Sequence, residues 1–406
     1  MIGTFPSLED LRPNPDWAKL PIFDRKGWKR MPFGAFADSI NERVEPSDAA
    51  EDIYVGLEHL DPQNLHIRCW GKGSDVIGTK LRFRKGDIIF GRRRAYQRKL
   101  TVAEFDGICS AHAMVTRAKP DIVLPEFLPF LMMSDKFMNR AVEISVGSLS
   151  PTINWKTLKL EEFDLPPLDQ QCRIAEILWA VDEVSTKYYQ VFDVIETVST
   201  AIRNAVSDSN YPKKRLGELA ILITKGESPG WQGFEYQDDG VVFVTSENVL
   251  FGRYEPSPRK HIPREFHQKI RRSALQKGDI LFNIVGASIG RGCVLPELGK
   301  DANVNQAVAI IRLNENTAMP EFILGHLLSP KGLKDILGTA VNTARANVSL
   351  DSLRKTLVPF PAIVVQAEIC ERLASFQKNR DSIMEDLDAL RSLRNAFLNS
   401  IFGVCQ

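Results

Sequence analysis

The sequence has little that would tie it to a membrane or to an oxidising compartment. No apolar run approaches the length of a membrane span, and residues 1–11 carry two acids and a proline where a signal peptide has a basic start and an apolar stretch. The six cysteines form no Cys-x-x-Cys pair, which argues against a disulfide framework and against a zinc site. We therefore expect a cytoplasmic protein with buried thiols.

Signatures of catalysis are also scarce. The sequence has no His-Glu-x-x-His spacing and none of the Glu-x-Lys runs common in metal-dependent nucleases. Residues 286–290 match the Gly-x-Ser-x-Gly motif of hydrolases, with Ser288 at the centre, but that motif needs a helix after the serine, and residues 291–296 are a poor helix start. We expect no chemical step, no metal and no cofactor on this chain. A hydrolase built on Ser288 stays as an alternative.

The balance of charge excludes little. The 406 residues are 44% hydrophobic and 25% charged, which is typical of soluble globular domains, and the net charge of +1 neither demands nor excludes nucleic acid. The distribution of charge along the chain must decide.

An internal repeat is the main positive signal. A shift of 195 residues places Pro166 on Pro361 and Gln171 on Gln366, and a slightly smaller shift aligns two Lys-Gly-Asp-Ile runs. After each proline–glutamine edge comes a long stretch with apolar residues every three and four positions, which predicts a helix packed along its length on another. The predicted seam of the first helix is Ile174, Ile177, Val181, Val184, Tyr188, Val191, Ile195, Val198 and Ile202. That of the second is Ile369, Leu373, Phe376, Ile383, Leu390, Leu393, Phe397 and Ile401.

The repeat predicts two α+β domains and two long helices, because short strand patterns dominate the rest of each half. One further helix is predicted within residues 125–138 of the first copy. The predicted divisions are an N-terminal arm (1–27), a first domain (28–165), a first long helix (166–206), a linker (207–213), a second domain (214–362) and a second long helix (363–406).

Basic segments at comparable places in both copies indicate a nucleic-acid surface. Arginine and lysine neutralise phosphates, while arginine and glutamine match the edges of guanine and adenine. In the first copy the candidates are Arg92, Arg93, Arg94, Tyr96, Gln97, Arg98 and Lys99. In the second copy they are Arg271, Arg272, Asn283, Ser288 and Arg291. The alternative is a pair of solvated basic turns.

Several motifs resemble one family. They are the edge Pro166-Pro167-Leu168-Asp169-Gln170-Gln171 with its heptad helix, the run Tyr54–His59, the Lys-Gly-Asp-Ile segments, Gly226-Glu227-Ser228-Pro229 and Thr245–Val249. Together the chain resembles the specificity subunit of type I restriction–modification enzymes over residues 28–402. The second copy departs from the pattern at residues 362–366, where an acidic or amide pair is missing.

The resemblance implies a fold and a function. Two target-recognition domains related by an internal pseudo-twofold would be joined by antiparallel coiled-coil helices, each domain reading one half of a bipartite DNA site. The helices would set the spacer and dock two modification subunits that carry S-adenosylmethionine, with a restriction and translocation subunit besides. Trp179, Tyr189 and Phe192 lie off the predicted seam and would either bind such a partner or cover the domains. The alternative is a coiled-coil scaffold without DNA readout.

Overall fold

A computed structural model of the chain describes residues 20–50, 52–314, 316–338 and 347–403. Most of the predicted N-terminal arm, and Cys405, lie outside the described residues. The expectation of buried thiols holds for Cys109, Cys293 and Cys370 but is wrong for Cys69 and Cys172, which are exposed. The chain divides into two compact units, the first made of residues 1–190 and 383–406 and the second of residues 191–382. No helix in the described ranges is both long and apolar enough to cross a bilayer.

The described residues of the first unit form three sheets. The strands are β1 (Lys29–Pro32), β2 (Ala37–Ile40), β3 (Arg43–Val44), β4 (Ile53–Val55), β5 (Gly71–Lys72), β6 (Lys80–Phe83), β7 (Ile88–Phe90), β8 (Leu100–Val102), β9 (Gly107–Cys109), β10 (Met114–Ala118) and β11 (Glu162–Leu165). The strand orders of the sheets are β1-β11, β2-β10-β7-β8 and β3-β6-β9-β4-β5; β4 and β9 run parallel, and the other pairs are antiparallel.

Where this unit is described, four short helices pack on its sheets. They are α1 (Phe33–Phe36), α2 (Leu128–Met133), α3 (Asp135–Glu143) and α4 (Trp155–Leu158). The single helix predicted within residues 125–138 is two, because Ser134 adopts an extended ψ of 150° and its hydroxyl caps α3 by accepting from the N–H of Phe137. A core rich in phenylalanine, including Phe33 and Phe163, lies between the helices and the four-stranded sheet.

Among the described residues, the second unit follows a similar order of elements, with fewer strands and one more short helix. The strands are β12 (Lys213–Arg215), β13 (Ala220–Lys225), β14 (Val241–Val244), β15 (Lys260–Ile262), β16 (Ile280–Asn283), β17 (Gly292–Val294), β18 (Ala302–Val304), β19 (Val308–Leu313) and β20 (Leu357–Pro359). They form sheets in the orders β12-β20, β13-β19-β16-β17 and β15-β14-β18, in which only β14 and β18 run parallel. The short helices are α6 (Leu216–Leu219), α7 (Arg264–Lys269), α8 (Pro320–Leu327), α9 (Pro330–Leu337) and α10 (Leu350–Lys355). The predicted α+β class and the duplication are confirmed.

A long helix follows each domain in the sequence. They are α5 (Leu168–Asp208) and α11 (Ile363–Phe402). In the first unit the start of α5 packs on the end of α11, since Ile174 and Leu178 share a core with Ile401. In the second unit the end of α5 packs on the start of α11, where Val206 meets Cys370. The helices are therefore antiparallel within each unit, as expected.

Four of the nine predicted seam residues on α5 are wrong. Ile177, Val184, Val191 and Val198 are between 38% and 50% exposed, whereas Leu178, Asp182 and Ser199 are buried. These buried residues lie one position after residues of the predicted seam. Some of them are polar, so a search for apolar periodicity does not find them. On α11, Leu393 is likewise exposed and Arg394 is buried in its place.

Polar contacts in the first unit explain why Asp182 is buried. The ring of His66 lies 2.6 Å from Asp182 Oδ2 through Nε2 and 2.6 Å from Glu104 Oε1 through Nδ1. Arg394 of α11 lies 3.8 Å from Asp182 and donates to Gln63 O. This group of His66, Glu104, Asp182 and Arg394, here called the polar joint, connects the domain to both long helices.

The two proline–glutamine edges form the same structure in each unit. Gln171 is buried; its Oε1 accepts from the N–H of Leu124 and its Nε2 donates to Ile122 O and Pro166 O. Gln366 is buried too and makes the matching bonds, at Met319 N–H, Thr317 O and Pro361 O. An amide supplies both the donors and the acceptor that each site needs. Each glutamine thus fixes the start of a long helix to the domain that precedes it.

Candidate nucleic-acid interface

A basic turn connects β7 to β8 in the first unit. The backbone reverses through a short 3-10 turn at residues 95–97, and the flanking Arg94 and Arg98 have positive φ values of 58° and 53°. Such values are uncommon for residues with a Cβ. Main-chain bonds hold them here, from the N–H of Arg94 to Pro151 O and from that of Arg98 to Ala95 O. The turn sends its neighbouring basic side chains in different directions.

Three successive arginines of this turn have no carboxylate partner in the described part of the chain. Arg92, Arg93 and Arg94 make no ion pair with any residue that the structure describes. Their side-chain partners are neutral: Ala111 O at 2.9 Å, His112 Nε2 at 3.3 Å and Ser150 Oγ at 3.3 Å, respectively. Tyr96 stands beside them and is 56% exposed. Arg94 is exposed like Tyr96, whereas Arg92 and Arg93 are half-buried.

The electrostatics of His112 reflect this charge. Partial burial, followed by the charges of Arg93, Arg92 and Lys80, holds the pKa of His112 below its usual range. A nearby like charge disfavours the protonated ring. The same potential that disfavours a proton favours a polyanion, so this surface suits a phosphate backbone.

Other members of the predicted set point into the domain. Arg98 pairs with Asp135 at 2.6 Å and donates to Met133 O, while Lys99 Nζ donates to Leu57 O at 2.7 Å. Gln97 is half-buried. The ends of Arg98 and Lys99 are engaged in holding the turn to its surroundings, so the expected DNA contacts rest on Arg92, Arg93, Arg94 and Tyr96.

In the second unit three predicted arginines are exposed. Arg271 and Arg272 form the short turn after α7, and Arg291 lies in the hairpin between β16 and β17. Arg272 pairs with Glu227 at 2.8 Å. Their contact with DNA stays a prediction.

Asn283 is not a surface residue, and its predicted DNA contact is wrong. Its side chain is fully buried, and Nδ2 donates to Ser246 O and Val249 O. The amide therefore holds the loop that follows β14. The Asn283 Oδ1 atom is buried without a partner among the described residues.

The Gly-x-Ser-x-Gly run forms a hairpin turn. Half-buried Ser288 lies between Gly286 and Gly290, both at positive φ, and the chain continues into β17. A nucleophile elbow needs a helix at that point. The hydrolase alternative has no support from this geometry, and Ser288 as a DNA contact stays a prediction.

A family model decides the relationship of the chain to known proteins. The model of the type I restriction modification DNA specificity domain matches residues 73–190 and 209–390, about three quarters of the sequence. The chain belongs to this family. The two matched segments fall one in each copy of the repeat.

Relatives in this specificity family support the assignment. The EcoDI specificity subunit of Escherichia coli is 30% identical over 192 residues, covering 45% of this chain and 39% of the relative. The EcoBI specificity subunit, also from E. coli, is 27% identical over 279 residues, covering 61% and 58%. The chain thus spans less than two thirds of either relative. The MjaVIII specificity subunit of Methanocaldococcus jannaschii is 20% identical over 394 residues, covering 92% and 91%.

Solved structures agree in fold. The S subunit of a type I restriction–modification system from M. genitalium superposes with a TM-score of 0.55 at 13% identity, covering 94% of this chain and 97% of that one. A chain from work on complex assembly and conformational transition of the type I R-M system gives 0.54 at 21% identity, covering 93% and 98%.

Two features of this specificity-family chain were missed or undervalued in the sequence. Trp231 is 92% exposed in the short turn Gly230–Gln232, and the adjacent Gly-Trp-Gln-Gly letters could have signalled an exposed aromatic. The Lys-Gly-Asp motifs have a structural role, because their aspartates bind arginines of a neighbouring strand. Asp87 accepts two hydrogen bonds from Arg117, and Asp279 accepts two from Arg312. These bidentate pairs join neighbouring strands of the four-stranded sheets.

Proposed function

We propose that this chain is the DNA-recognition subunit of a type I restriction–modification enzyme. Each domain would read one half of a bipartite, asymmetric site. The observation that carries this proposal is the uncompensated trio Arg92, Arg93 and Arg94, because unpaired surface cations are the footprint of phosphate binding. The duplicated domain order supplies the second reader.

The long helices suit the role of a spacer. A helix of 41 residues is roughly 60 Å long at about 1.5 Å per residue. Removing one heptad from both helices in register should shorten the spacer between the half-sites by roughly 10 Å, about three base pairs of duplex. Sites selected by the shortened protein would report the change directly, and an unchanged spacer would contradict this role.

The exposed apolar row on α5 suits a protein partner. Ile177 and Val184 in the first unit, and Val191, Val194 and Val198 in the second, are between 38% and 60% exposed. Clustered apolar surface of this kind marks interaction sites. We assign it to two modification subunits, which would bring S-adenosylmethionine and the methyl transfer, with a restriction and translocation subunit joining them. Catalysis in the cytoplasm would then belong to the partners.

Two of the three aromatics proposed for docking contact their own domain instead. Trp179 packs edge-on against Phe130 and donates to Glu126 O, and Tyr189 lies under the guanidinium of Arg68. The alternative that they cover the domain is favoured for both.

The decisive experiment maps methylation in DNA from cells that express this chain with its modification subunit. We expect a gapped, two-part methylated motif that disappears when the chain is deleted. An active partner without any such motif would favour a scaffold without DNA readout.

A matched pair of variants tests the surface itself. Arg94→Gln should weaken binding of the assembled complex to its site and lower the slope of log K against log salt by about one, the effect of one lost phosphate contact. Arg140→Gln is the control, since this exposed arginine is already paired with Glu143 and Glu161. Equal effects of the two changes would place the DNA elsewhere.

A further inference from the structure

His112 occupies the turn between β9 and β10, next to the half-buried Arg92 and Arg93. Its N–H donates to Ser110 Oγ, and its ring Nε2 lies 3.3 Å from Arg93 Nη1. A guanidinium has donors only, so at this contact the imidazole accepts and is neutral. The free protein therefore holds an uncharged histidine inside a cationic cluster.

The charged groups that lower the pKa of this ring are all cations. Arg93 and Arg92 come from the basic turn, with Arg92 bonded to Ala111 O beside the histidine, and Lys80 comes from β6. No carboxylate bonds to the ring among the residues placed by the structure. His66 offers the contrast, because two carboxylates hold its pKa at about 9.

We infer that His112 is a DNA phosphate contact whose ring takes up a proton from solvent as the strand enters this cluster. The inference rests on the proposed DNA recognition. A phosphate oxygen is a stronger acceptor for Arg93 than an imidazole nitrogen, since the bond is then charge-assisted at both ends. The released Nε2 binds a proton and donates to the same anion.

The coupling between protonation of His112 and DNA binding has a definite direction. Burial and the neighbouring cations keep the pKa of free His112 below 6.5, and a bound phosphate raises it. Protons are then taken up on binding, so affinity rises as pH falls through the interval between the two values. A rise of one in this pKa corresponds to about tenfold tighter binding at the acidic end of the interval.

The experiment uses the full chain assembled with its modification subunits and a duplex carrying the mapped site. Calorimetry near pH 6.5, in two buffers of different ionisation enthalpy at one ionic strength, measures the proton uptake directly. The wild-type complex should take up a substantial fraction of one proton. The complex with His112→Asn should take up none, should bind less tightly near pH 6 and should match the wild type near pH 8.5.

His261→Asn, in β15 of the second unit, is the matched control and should keep the uptake. Arg93→Gln should weaken binding at every pH and reduce the uptake. Specific binding without proton uptake by the wild type, or uptake that persists in His112→Asn, would overturn the inference and leave DNA recognition standing. Absence of sequence-specific binding by the intact complex would overturn DNA recognition, and this inference with it.

Discussion

Replacing His66 by asparagine should loosen the polar joint in the first unit. The hydrogen bond to Asp182 raises the pKa of His66 from 6.5 to about 9, against the opposing effect of burial and with help from Glu104. His66 is therefore protonated and positively charged in the folded protein at neutral pH. Asparagine keeps a donor but removes the charge, leaving buried Asp182 with Arg394 at 3.8 Å as its ionic partner.

The size of the effect follows from linkage. A pKa raised from 6.5 to about 9 corresponds to ~3 kcal/mol of stability, and we expect ~2 kcal/mol because the side chain is 28% exposed and solvent screens it. A raised pKa stabilises fully below pH 6.5, and the contribution is lost as pH rises through about 9. The variant and the wild type should therefore differ most at neutral and acidic pH and converge near pH 10.

Urea unfolding followed by tryptophan fluorescence can measure this difference. Trp231 is the one tryptophan in the sequence of the second unit, and the ring of Trp179 lies 6.4 Å from that of His66, so the signal reports mainly on the first unit. His112→Asn serves as a control that should lose no stability, since no carboxylate among the described residues bonds to its ring. A loss for His66→Asn that is equal at pH 6 and pH 10 would refute the linkage argument.

Three further substitutions have expected costs. Gln366→Ala leaves the N–H of Met319 without its acceptor and should cost about 1–3 kcal/mol in urea unfolding; a change within error would show that water replaces the amide. Asp279→Asn strips a largely buried Arg312 of its carboxylate and should cost about 3–5 kcal/mol, read from loss of hydrogen-exchange protection in the second unit. Arg98→Ala should lower the melting temperature, while the slope of log K for DNA binding against log salt stays unchanged. A reduced slope would show that this arginine contacts DNA.

The sequence alone predicted the repeat, the α+β class and both long helices, because periodicity and turn residues are local signals. It did not predict which helical row is buried. Apolar spacing favoured Val184 and Val198, whereas Asp182 and Ser199 occupy the interior. For Asp182 the deciding partner, His66, is distant in sequence, and no periodic pattern contains that information. The same limit explains Asn283, which lies in a strand that ends inside the core.

The exposed valines and isoleucine of α5 have a consequence for the cell. If the proposed modification subunits cover this apolar row, a chain made without them would keep the row in water, where chaperones and proteases act on such surfaces. Surplus copies of the chain would then be removed, and its amount would follow the supply of the proposed partners. The dosage of the chain would in this way be set after translation, by assembly.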